Sequence, residues 1–506
     1  MKNNGIRLGV RLAALLLLAF LCVLACAGCE LTSEENTEPE ATTTAATTLP
    51  PVSEPTIADG VTPVKTAAEA SVSLNPTGIR FGGSVDKTYY DALVATYGEK
   101  NVKVGVLVAP TAANGSVNFT GEGVAKARMS AVEADGDEYV FNGVLTGLAE
   151  KDYTVKYAAA AYVEVCGTVL RTAEASNSFS LVTAAEASLN DLTNTRDAKH
   201  TYVVTIDGAT KYSPYNNRQR EIISELRFPC AITVMSYNIE VYDSKKGWEG
   251  RTPSKALVTV IEESPDVVGF QEVNSPWNEM LDNFANGNGY TRLKRSPTTD
   301  NFEKNEIFFK TDKFTLIEEG TKIYKSLAAE LNVPNTESAD QSRDTHGRAF
   351  HYAILEQKET GKKILVVNTH LHYNGTGDGF EEDDKVRRYE INTLLAWLQT
   401  KAAAYPNQLV MGDMNSHYKG NKQGSVNMAL FTTAGYLRTS DLAATVGDVG
   451  GTLANSHTTR PQYIFDYILV KGNIGTKYYT VVDNPIDGGN YPSDHIPIKA
   501  TISLLR

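Results

Sequence analysis

Several apolar runs in the second half of this sequence are followed at once by acidic, amide or imidazole side chains. Side chains of these types bind hard divalent cations through oxygen and transfer protons near neutral pH. The residues concerned are Asn238, Glu240, Glu272, His370, Asp413, Asn415, Asp466, Asp494 and His495. Each alone is weak evidence, because an acid after a strand is usually a helix cap or a turn residue. Together they indicate a site if the fold brings them to one place.

The apolar runs themselves predict an α/β domain over residues 231–506. "AITVMSYN", "DVVGFQE", "KILVVNTH" and "QLVMGD" are apolar almost throughout, which is typical of strands covered on both faces. "SKALVTVIEES" and "DKVRRYEINTLLAWLQTKA" predict helices, the second with one apolar stripe. Alternating strands and helices are typical of an α/β fold. Because the carboxyl ends of neighbouring buried strands open into one crevice, we expect the polar residues to meet there.

The order of the motifs in this domain resembles the endonuclease/exonuclease/phosphatase superfamily, the deoxyribonuclease I-like metal-dependent phosphoesterases. The motifs are "SYNIE", "VVGFQEV", "VVNTHLH", "MGDMNS", "FDYILV" and "YPSDHIPI". The resemblance implies a four-layer sandwich of two packed β-sheets flanked by helices. It also implies hydrolysis of a phosphate ester with a bound divalent cation. Mg²⁺ is the expected cation, with Mn²⁺ and Ca²⁺ as alternatives.

The resemblance also implies which residues hold the cation. The matching positions are Asn238, Glu240, Glu272 and Asp494. Glu240 stands where apurinic endonucleases carry an Asp, and Asp494 belongs to the "SDH" motif. Mg²⁺ usually takes one or two carboxylates together with waters and substrate phosphate, so this donor set agrees with the expected cation.

The remaining positions match catalytic residues of the family. His495 matches the general base, and Asp466 matches the carboxylate that fixes its tautomer. His370 and Asn415 match hydrogen-bond donors to the phosphoryl oxygens. Asp413 is expected to orient the attacking water or to bind a second cation. The mechanism needs no Ser or Cys nucleophile, so we expect direct attack by water.

The substrate is less strongly indicated than the reaction. We expect a nuclease first, then a phospholipid (sphingomyelinase-like) or sugar-phosphate hydrolase, with an inactive surface binding or adhesion protein as the alternative of another class. Lys385, Arg387 and Arg388 form either a basic strip for nucleic acid or, the plainer expectation, a solvated helix face with local ion pairs. Tyr373 and Phe380 lie in a Gly-rich loop, which is weak evidence for lipid contact because surface loops often hold a lone aromatic. The net charge of −12 argues against a general polyanion-binding surface, although not against a local phosphate site.

The first 29 residues are typical of a secretory signal peptide. A basic start is followed by an apolar run and small residues. A transmembrane anchor is the alternative, since the run is nearly long enough to span a bilayer. "ACAGC" resembles a bacterial lipobox in which Cys29 is lipidated, with Cys26 as the alternative acceptor. We therefore expect an exported protein that is held at the cell membrane by lipid and faces outward.

Three further segments are predicted between the signal and the α/β domain. Residues 30–59 are rich in Thr, Glu and Pro and predict a disordered stalk. Residues 60–188 contain short β-rich runs between turn residues and predict a small all-β sandwich resembling immunoglobulin- or fibronectin-like accessory modules. Residues 189–230 are polar and predict a connector with one short helix. Cys166 and Cys230 are expected to be buried thiols, with a disulfide as the alternative.

Overall fold

The chain divides into two compact units, Met1–Pro51 and Val52–Arg506. The computed structural model describes residues 51–121, 123–129, 133–242, 253–293, 304–336, 338–340, 347–373, 380–417, 423–454, 457–486 and 489–504. The predicted signal peptide, the predicted lipidation site Cys29 and most of the predicted stalk lie outside these residues. Among the helices that are described, none combines the length and the apolar character needed to cross a bilayer.

The first part of the second unit contains two antiparallel sheets and two helices. Its elements are β1 (Val64–Leu74), β2 (Thr77–Asp86), α1 (Lys87–Tyr97), β3 (Val102–Pro110), β4 (Ala125–Met129), β5 (Glu133–Asp135), β6 (Glu138–Thr146), β7 (Tyr157–Val165), β8 (Thr168–Thr172) and α2 (Leu181–Asn190). One sheet has the order β1-β2-β6-β5 and the other β4-β3-β7-β8. The inner faces of both sheets contribute to one apolar core.

The prediction that this module is all-β is wrong, because both helices contribute to its core. Leu93 of α1 and Leu181 of α2 are buried in the same apolar cluster as Phe81 of β2. Asp86 caps α1 by accepting from the backbone N–H of Tyr89. Both helices are short, so their periodicity is weak in a sequence dominated by β-rich runs.

The predicted connector is folded onto this module. It contains the hairpin β9 (Tyr202–Ile206) and β10 (Ala209–Ser213), followed by helix α3 (Asn217–Glu225). Ile223 of α3 is fully buried in the core of the module. The hydroxyl of Tyr215 donates a hydrogen bond of 3.0 Å to the carbonyl of Val72 in β1. The segment therefore belongs to the packed structure of the module and does not act as a loose link.

Both described cysteines are free thiols. The expectation of a buried thiol is confirmed for Cys230 and wrong for Cys166, which is exposed. Cys166 and Gly167 form the two-residue turn between β7 and β8, and both have positive φ, 49° and 83°. Hairpin turns of this kind project from the sheet, which explains the exposure of Cys166.

The remainder of the second unit is an α/β domain. Its elements are β11 (Ile232–Asn238), α4 (Pro253–Glu263), β12 (Val267–Val273), α5 (Asn278–Gly287), β13 (Tyr290–Leu293), β14 (Lys304–Lys310), β15 (Phe314–Ile323), α6 (Tyr324–Leu331), β16 (Ala349–Gln357), β17 (Lys363–His370), α7 (Phe380–Lys401), β18 (Gln408–Asp413), α8 (Gln423–Thr433), β19 (Leu437–Arg438), α9 (Thr439–Leu442), β20 (Thr445–Val446), β21 (Asp466–Lys471), β22 (Gly475–Val481) and β23 (Ile498–Ser503). The mixed α/β architecture expected from the sequence is confirmed.

Two sheets of this domain face each other across an apolar core. One has the order β13-β14-β12-β11-β23-β22-β20 and the other β15-β16-β17-β18-β21-β19. Val234 of the first sheet and Val366 and Met411 of the second are buried in the core between them. Helices α4 and α5 cover the outer face of the first sheet, and α6, α7 and α8 cover that of the second. Both faces of each central strand are thus covered, as their continuous apolar runs require.

Strand register brings polar residues to one edge of the second sheet. The parallel strands β17 and β18 place His370 opposite Asp413. The antiparallel strands β18 and β21 place Asp413 opposite Asp466. In the first sheet, the parallel strands β11 and β12 place Asn238 opposite Gln271. Since residues opposite each other on neighbouring strands lie roughly 5 Å apart, register alone groups these side chains.

Helix α7 buries arginines that were expected to be exposed. Arg387 is 1% exposed and Arg388 is 9% exposed. Arg387 pairs with Asp384 and donates a 2.9 Å hydrogen bond to the carbonyl of His372. The expectations of a basic strip and of a solvated face are therefore both wrong for these two arginines. Lys385 is partly exposed and pairs with acids of its own helix, as expected for a solvated helix face with local ion pairs.

Because Arg387 is buried and Lys385 is partly exposed, substitutions of these two basic residues of α7 should differ greatly in their effect on stability. We expect Arg387→Met to lower the free energy of unfolding by about 3 kcal/mol, because Asp384 loses its cationic partner in the interior. Lys385→Ala is the matched control and should leave the free energy of unfolding almost unchanged, because exposed ion pairs contribute little. Urea denaturation followed by circular dichroism measures both. Equal losses in the two variants would contradict the buried network.

A close approach of β17 and β18 at Gly412 gives a second prediction for stability. Gly412 has φ of +142°, and a Cβ there would lie 1.8 Å from the carbonyl oxygen of Thr369. Gly412→Ala should therefore lower the free energy of unfolding by at least about 2 kcal/mol. Gly287→Ala is the control, because a Cβ at this helix end meets open space. It should be neutral or stabilising by up to about 1 kcal/mol, and urea denaturation of both variants measures the difference.

Candidate functional site

The buried side-chain amide of Asn238 joins the two sheets at the edge where these polar residues lie, here called the polar edge. Asn238 ends β11, and its Nδ2 donates hydrogen bonds to Glu272 Oε1 of the same sheet at 2.9 Å and to Asp413 Oδ2 of the other sheet at 3.1 Å. Asn238 is fully buried. The two carboxylates therefore share one amide nitrogen, which places the ends of the two sheets in direct contact.

Two imidazoles meet at Asp413. The Nε2 atoms of His370 and His495 lie 3.3 Å and 3.4 Å from the same oxygen, Asp413 Oδ2. The Nδ1 of His495 lies 2.8 Å from Asp466 Oδ2. The other oxygen of Asp413 accepts a 2.8 Å hydrogen bond from the backbone N–H of Asn415. All five predicted catalytic residues are thus brought together in one place.

Burial and charge give these groups different proton affinities. Burial raises the pKa of Asp413, but the charges of His495 and His370 outweigh it and hold that pKa below its ordinary value. Burial raises the pKa of Asp466. Burial alone would lower the pKa of His495, but Asp466 and Asp413 raise it well above its ordinary value. The surroundings therefore favour the ionised form of Asp413 and the protonated form of His495.

The raised pKa of His495 bears on its predicted role. A general base must be neutral before it accepts a proton, whereas the two carboxyl groups favour the imidazolium. An imidazolium whose Nδ1 is held by Asp466 can donate its Nε2 proton to an oxygen of the substrate. The general-base role of His495 stays a prediction, and the arrangement also serves proton donation.

A second group of potential ligands lies beside this cluster. Glu240, His457 and Asp494, here called the cation cluster, each offer one ligand atom, and these atoms all lie within 4.8 Å of one another. The Nε2 of His457 lies 2.6 Å from Glu240 Oε2, and the backbone N–H of Asp494 donates to the same oxygen at 3.3 Å. Burial and then the charge of Glu240 raise the pKa of Asp494. Two mutually repelling carboxylates and an imidazole fit a divalent cation.

The other two predicted metal ligands, Asn238 and Glu272, form hydrogen bonds with the chain segment that carries Glu240 of this cluster. Asn238 Oδ1 accepts a 3.0 Å hydrogen bond from the N–H of Glu240, and Glu272 Oε2 accepts one of 3.0 Å from the N–H of Val241. Among the described residues, Glu272 does not belong to a group of three His, Cys, Asp or Glu side chains with ligand atoms within 4.8 Å of one another. Their hydrogen bonds position the segment that carries Glu240, and their predicted role as direct ligands stays a prediction.

Two further predicted roles are still open in the structure. Asn415 donates a 3.0 Å hydrogen bond from Nδ2 to the carbonyl of Leu371, so its side chain joins the ends of β17 and β18. Its predicted contact with a phosphoryl oxygen stays a prediction. Asp413, Asp466 and His495 form a second set with ligand atoms within 4.8 Å. This spacing agrees with the alternative that Asp413 binds a second cation.

Several of these residues have backbone conformations that are rare outside glycine. Glu240, Glu272, Asn415 and His457 have φ of +59°, +62°, +46° and +60°. Each costs of order 1–3 kcal/mol and persists only where the surroundings hold it. The hydrogen bonds to the N–H groups of Glu240 and Asn415 supply such restraint.

Sequence reasoning missed three residues of the site. His457 stands in a loop with no periodic pattern, so only its side-chain type could have drawn attention to it. Ser493, inside the quoted "SDH" motif, donates a 2.7 Å hydrogen bond to the carbonyl of Asn238. Thr452 Oγ1 accepts a 3.2 Å hydrogen bond from the N–H of Asp466. Ser493 and Thr452 fix the loops that carry the catalytic groups.

Curated proteins with similar sequences include fungal nuclease subunits. The chain is 28% identical over 336 residues to the CCR4-Not complex 3'-5'-exoribonuclease subunit Ccr4 of Candida albicans, which covers 54% of this chain and 41% of that protein. It is 31% identical over 172 residues to the subunit of the same name from Yarrowia lipolytica, which covers 28% of this chain and 23% of that protein. The chain therefore spans less than half the length of these relatives.

Solved structures and a family model also match the α/β domain. An endonuclease/exonuclease/phosphatase family protein from Bacteroides thetaiotaomicron is 21% identical with a TM-score of 0.44, over 54% of this chain and 94% of that one. The sequence model of the Endonuclease/Exonuclease/phosphatase family matches residues 235–495. This range is more than half of the 506 residues and contains the whole polar edge. The chain belongs to the endonuclease/exonuclease/phosphatase family.

Proposed function

We propose that the chain is a hydrolase of phosphate esters that depends on a divalent cation and acts on nucleic acid. The observation that carries the proposal is the position of the imidazole pair at Asp413 beside the cation cluster. Proton-transfer groups and a candidate cation site at one edge are what hydrolysis by direct water attack requires. Membership of a family of nucleases and phosphatases supports the same reaction.

Asp413 and His495 have complementary tasks in this mechanism. Asp413 stays ionised because its pKa is lowered, so its carboxylate can accept a hydrogen bond from the attacking water and orient it. His495 is fixed by Asp466 through Nδ1 and presents Nε2 toward Asp413. From that atom it either accepts the proton of the water or donates one to the leaving oxygen, according to its charge when substrate is bound.

His370 and the cation cluster stabilise the phosphoryl group. His370 presents Nε2 to the same edge and donates a hydrogen bond to a phosphoryl oxygen as negative charge develops there. Glu240, Asp494 and His457 would hold the cation, for which the family resemblance implies Mg²⁺. When bound, the cation supplies positive charge to the phosphoryl oxygens. Asn238 and Glu272 keep these ligands in position through the hydrogen bonds to the segment after β11.

Two observations favour nucleic acid over other phosphate esters. The curated relatives carry the name of an exoribonuclease subunit. Tyr463 is 52% exposed and lies parallel to Phe465, with an interplanar angle of 7° and ring centroids 6.1 Å apart, directly before Asp466. An exposed aromatic face next to the reaction site suits stacking of a nucleobase, which tolerates any base sequence.

Export and lipid anchoring are part of the proposal and rest on the sequence pattern of residues 1–29. The basic start, the apolar run and "ACAGC" favour cleavage before Cys29 and lipidation of its thiol. The protein would then act on extracellular nucleic acid from the membrane surface. Residues 60–188 would serve as an accessory module between the anchor and the catalytic domain.

Substitution at the imidazole pair tests the catalytic proposal. We expect Asp413→Asn and His495→Gln each to lower kcat by at least about 10²-fold, because each removes a group that orients water or transfers a proton. EDTA should abolish turnover, and added Mg²⁺ should restore it. The substrates to compare are single- and double-stranded DNA, RNA, sphingomyelin, phosphoinositides and sugar phosphates, and we expect RNA or DNA to be cleaved fastest.

Lys385→Ala is the control for this experiment, because Lys385 pairs within α7 and takes no part in the site. Its activity should equal that of the unmodified protein, and all variants should unfold at similar temperatures. Full activity in Asp413→Asn or His495→Gln would refute the mechanism. Fastest cleavage of a lipid or a sugar phosphate would retain the hydrolase and reject the nuclease.

Substitution of the candidate acceptor cysteines tests the anchoring proposal. In a bacterial host supplied with an alkyne fatty acid, we expect the unmodified chain to be labelled and to sediment with membranes. Cys29→Ser should abolish both properties, because it removes the thiol proposed to carry the lipid. Cys26→Ser is the matched control and should keep both. Labelling that is lost in Cys26→Ser and kept in Cys29→Ser would assign the anchor to Cys26.

A further inference from the structure

We infer that His457 is a direct ligand of the catalytic cation, and that its imidazole makes the site prefer Mn²⁺ over Mg²⁺. The inference rests on the proposed function, because it concerns the cation of the same site. His457 has no part in the roles expected from the sequence. It enters the site from the loop between β20 and β21, far along the chain from Glu240.

The first argument is the position of the ring. The Nε2 of His457 lies 2.6 Å from Glu240 Oε2, and Asp494 offers a carboxylate oxygen within 4.8 Å of both ligand atoms. The side chains of His457 and Glu240 are 20% and 23% exposed. A cation can therefore reach the three donors from solvent, while most of each ligand is held by protein.

The second argument is the way in which the backbone fixes His457 to the segment of Asp494. The carbonyl of His457 accepts a 2.8 Å hydrogen bond from the N–H of Tyr491, and its own N–H donates to the carbonyl of Ala454 at 2.8 Å. The N–H of Ala454 donates to the carbonyl of Asp494 at 2.6 Å. These bonds make the imidazole and the Asp494 carboxylate parts of one rigid assembly, as a ligand pair requires.

The identity of the donors determines the preferred cation. Mg²⁺ binds oxygen in near-ideal octahedral geometry and keeps several waters, so an imidazole gives it little advantage. First-row transition cations accept imidazole nitrogen together with carboxylate oxygen. The imidazole of His457 therefore favours Mn²⁺ over Mg²⁺ at a site whose other two ligands serve both ions.

Electron paramagnetic resonance of Mn²⁺ bound to the full chain tests the inference without relying on activity. In the unmodified protein, we expect bound Mn²⁺ to show ¹⁴N modulation from an imidazole ligand in electron spin echo spectra. His457→Gln should abolish this modulation and weaken Mn²⁺ binding by about tenfold or more. Competition with Mg²⁺ should show that the variant loses more affinity for Mn²⁺ than for Mg²⁺.

His417→Gln is the matched control, because it removes another imidazole from the same end of the domain. It should keep both the ¹⁴N modulation and the affinity for Mn²⁺, and thermal unfolding without cation should show that both variants are folded. Modulation that persists in His457→Gln would assign the nitrogen to another residue and overturn the inference. Mn²⁺ that binds without any ¹⁴N modulation would overturn the inference and leave the proposed function standing. Absence of Mn²⁺ binding in the unmodified protein would overturn both.

Discussion

The arrangement of the site depends on one buried amide between two sheets. Asn238 donates from a single nitrogen to Glu272 on its own sheet and to Asp413 on the facing sheet. N–H···O hydrogen bonds have donor–acceptor distances of about 2.7–3.2 Å, so a small shift of one sheet over the other would break this contact. Beneath it, Gln271 of the first sheet donates to Asn368 of the second at 2.7 Å. These buried amides fix the relative position of the two sheets. The apolar core between the sheets would by itself allow more than one relative position.

Once the sheets are fixed, strand register and loop hydrogen bonds place the reacting groups. His370, Asp413 and Asp466 end up side by side because three neighbouring strands begin or end in register. Asn238 also links that position to the cation cluster, since its side-chain Oδ1 accepts a hydrogen bond from the backbone N–H of Glu240. The imidazole pair at Asp413 and the cation cluster are therefore separate groups that share one structural link, and a change in sheet packing would disturb both together.

The sequence predicted those parts of the molecule that depend on local pattern. His370, Asp413 and Asp466 were predictable because each adjoins an apolar run that can only be a covered strand. His457 was not, because its proximity to Glu240 depends on how a loop folds over the other sheet. Likewise, the burial of Arg387 depends on Asp384 and the carbonyl of His372, since a charged helix segment is usually exposed unless such partners enclose it. Helices α1 and α2 were missed because tertiary packing, more than periodicity, stabilises short helices.

The charge of the carboxylates at this edge accounts for the imidazoles among them and for the proposed cation. Asp413, Asp466, Glu240, Glu272 and Asp494 gather where a negatively charged phosphate ester has to approach. Without compensation, their field would repel the substrate, since like charges within a partly desolvated site interact strongly. The raised pKa of His495 is one response, because it brings a positive charge between Asp413 and Asp466. A cation held by the Glu240, His457 and Asp494 side chains would be the other, so that the acids position positive charge for the substrate instead of presenting their own negative charge to it.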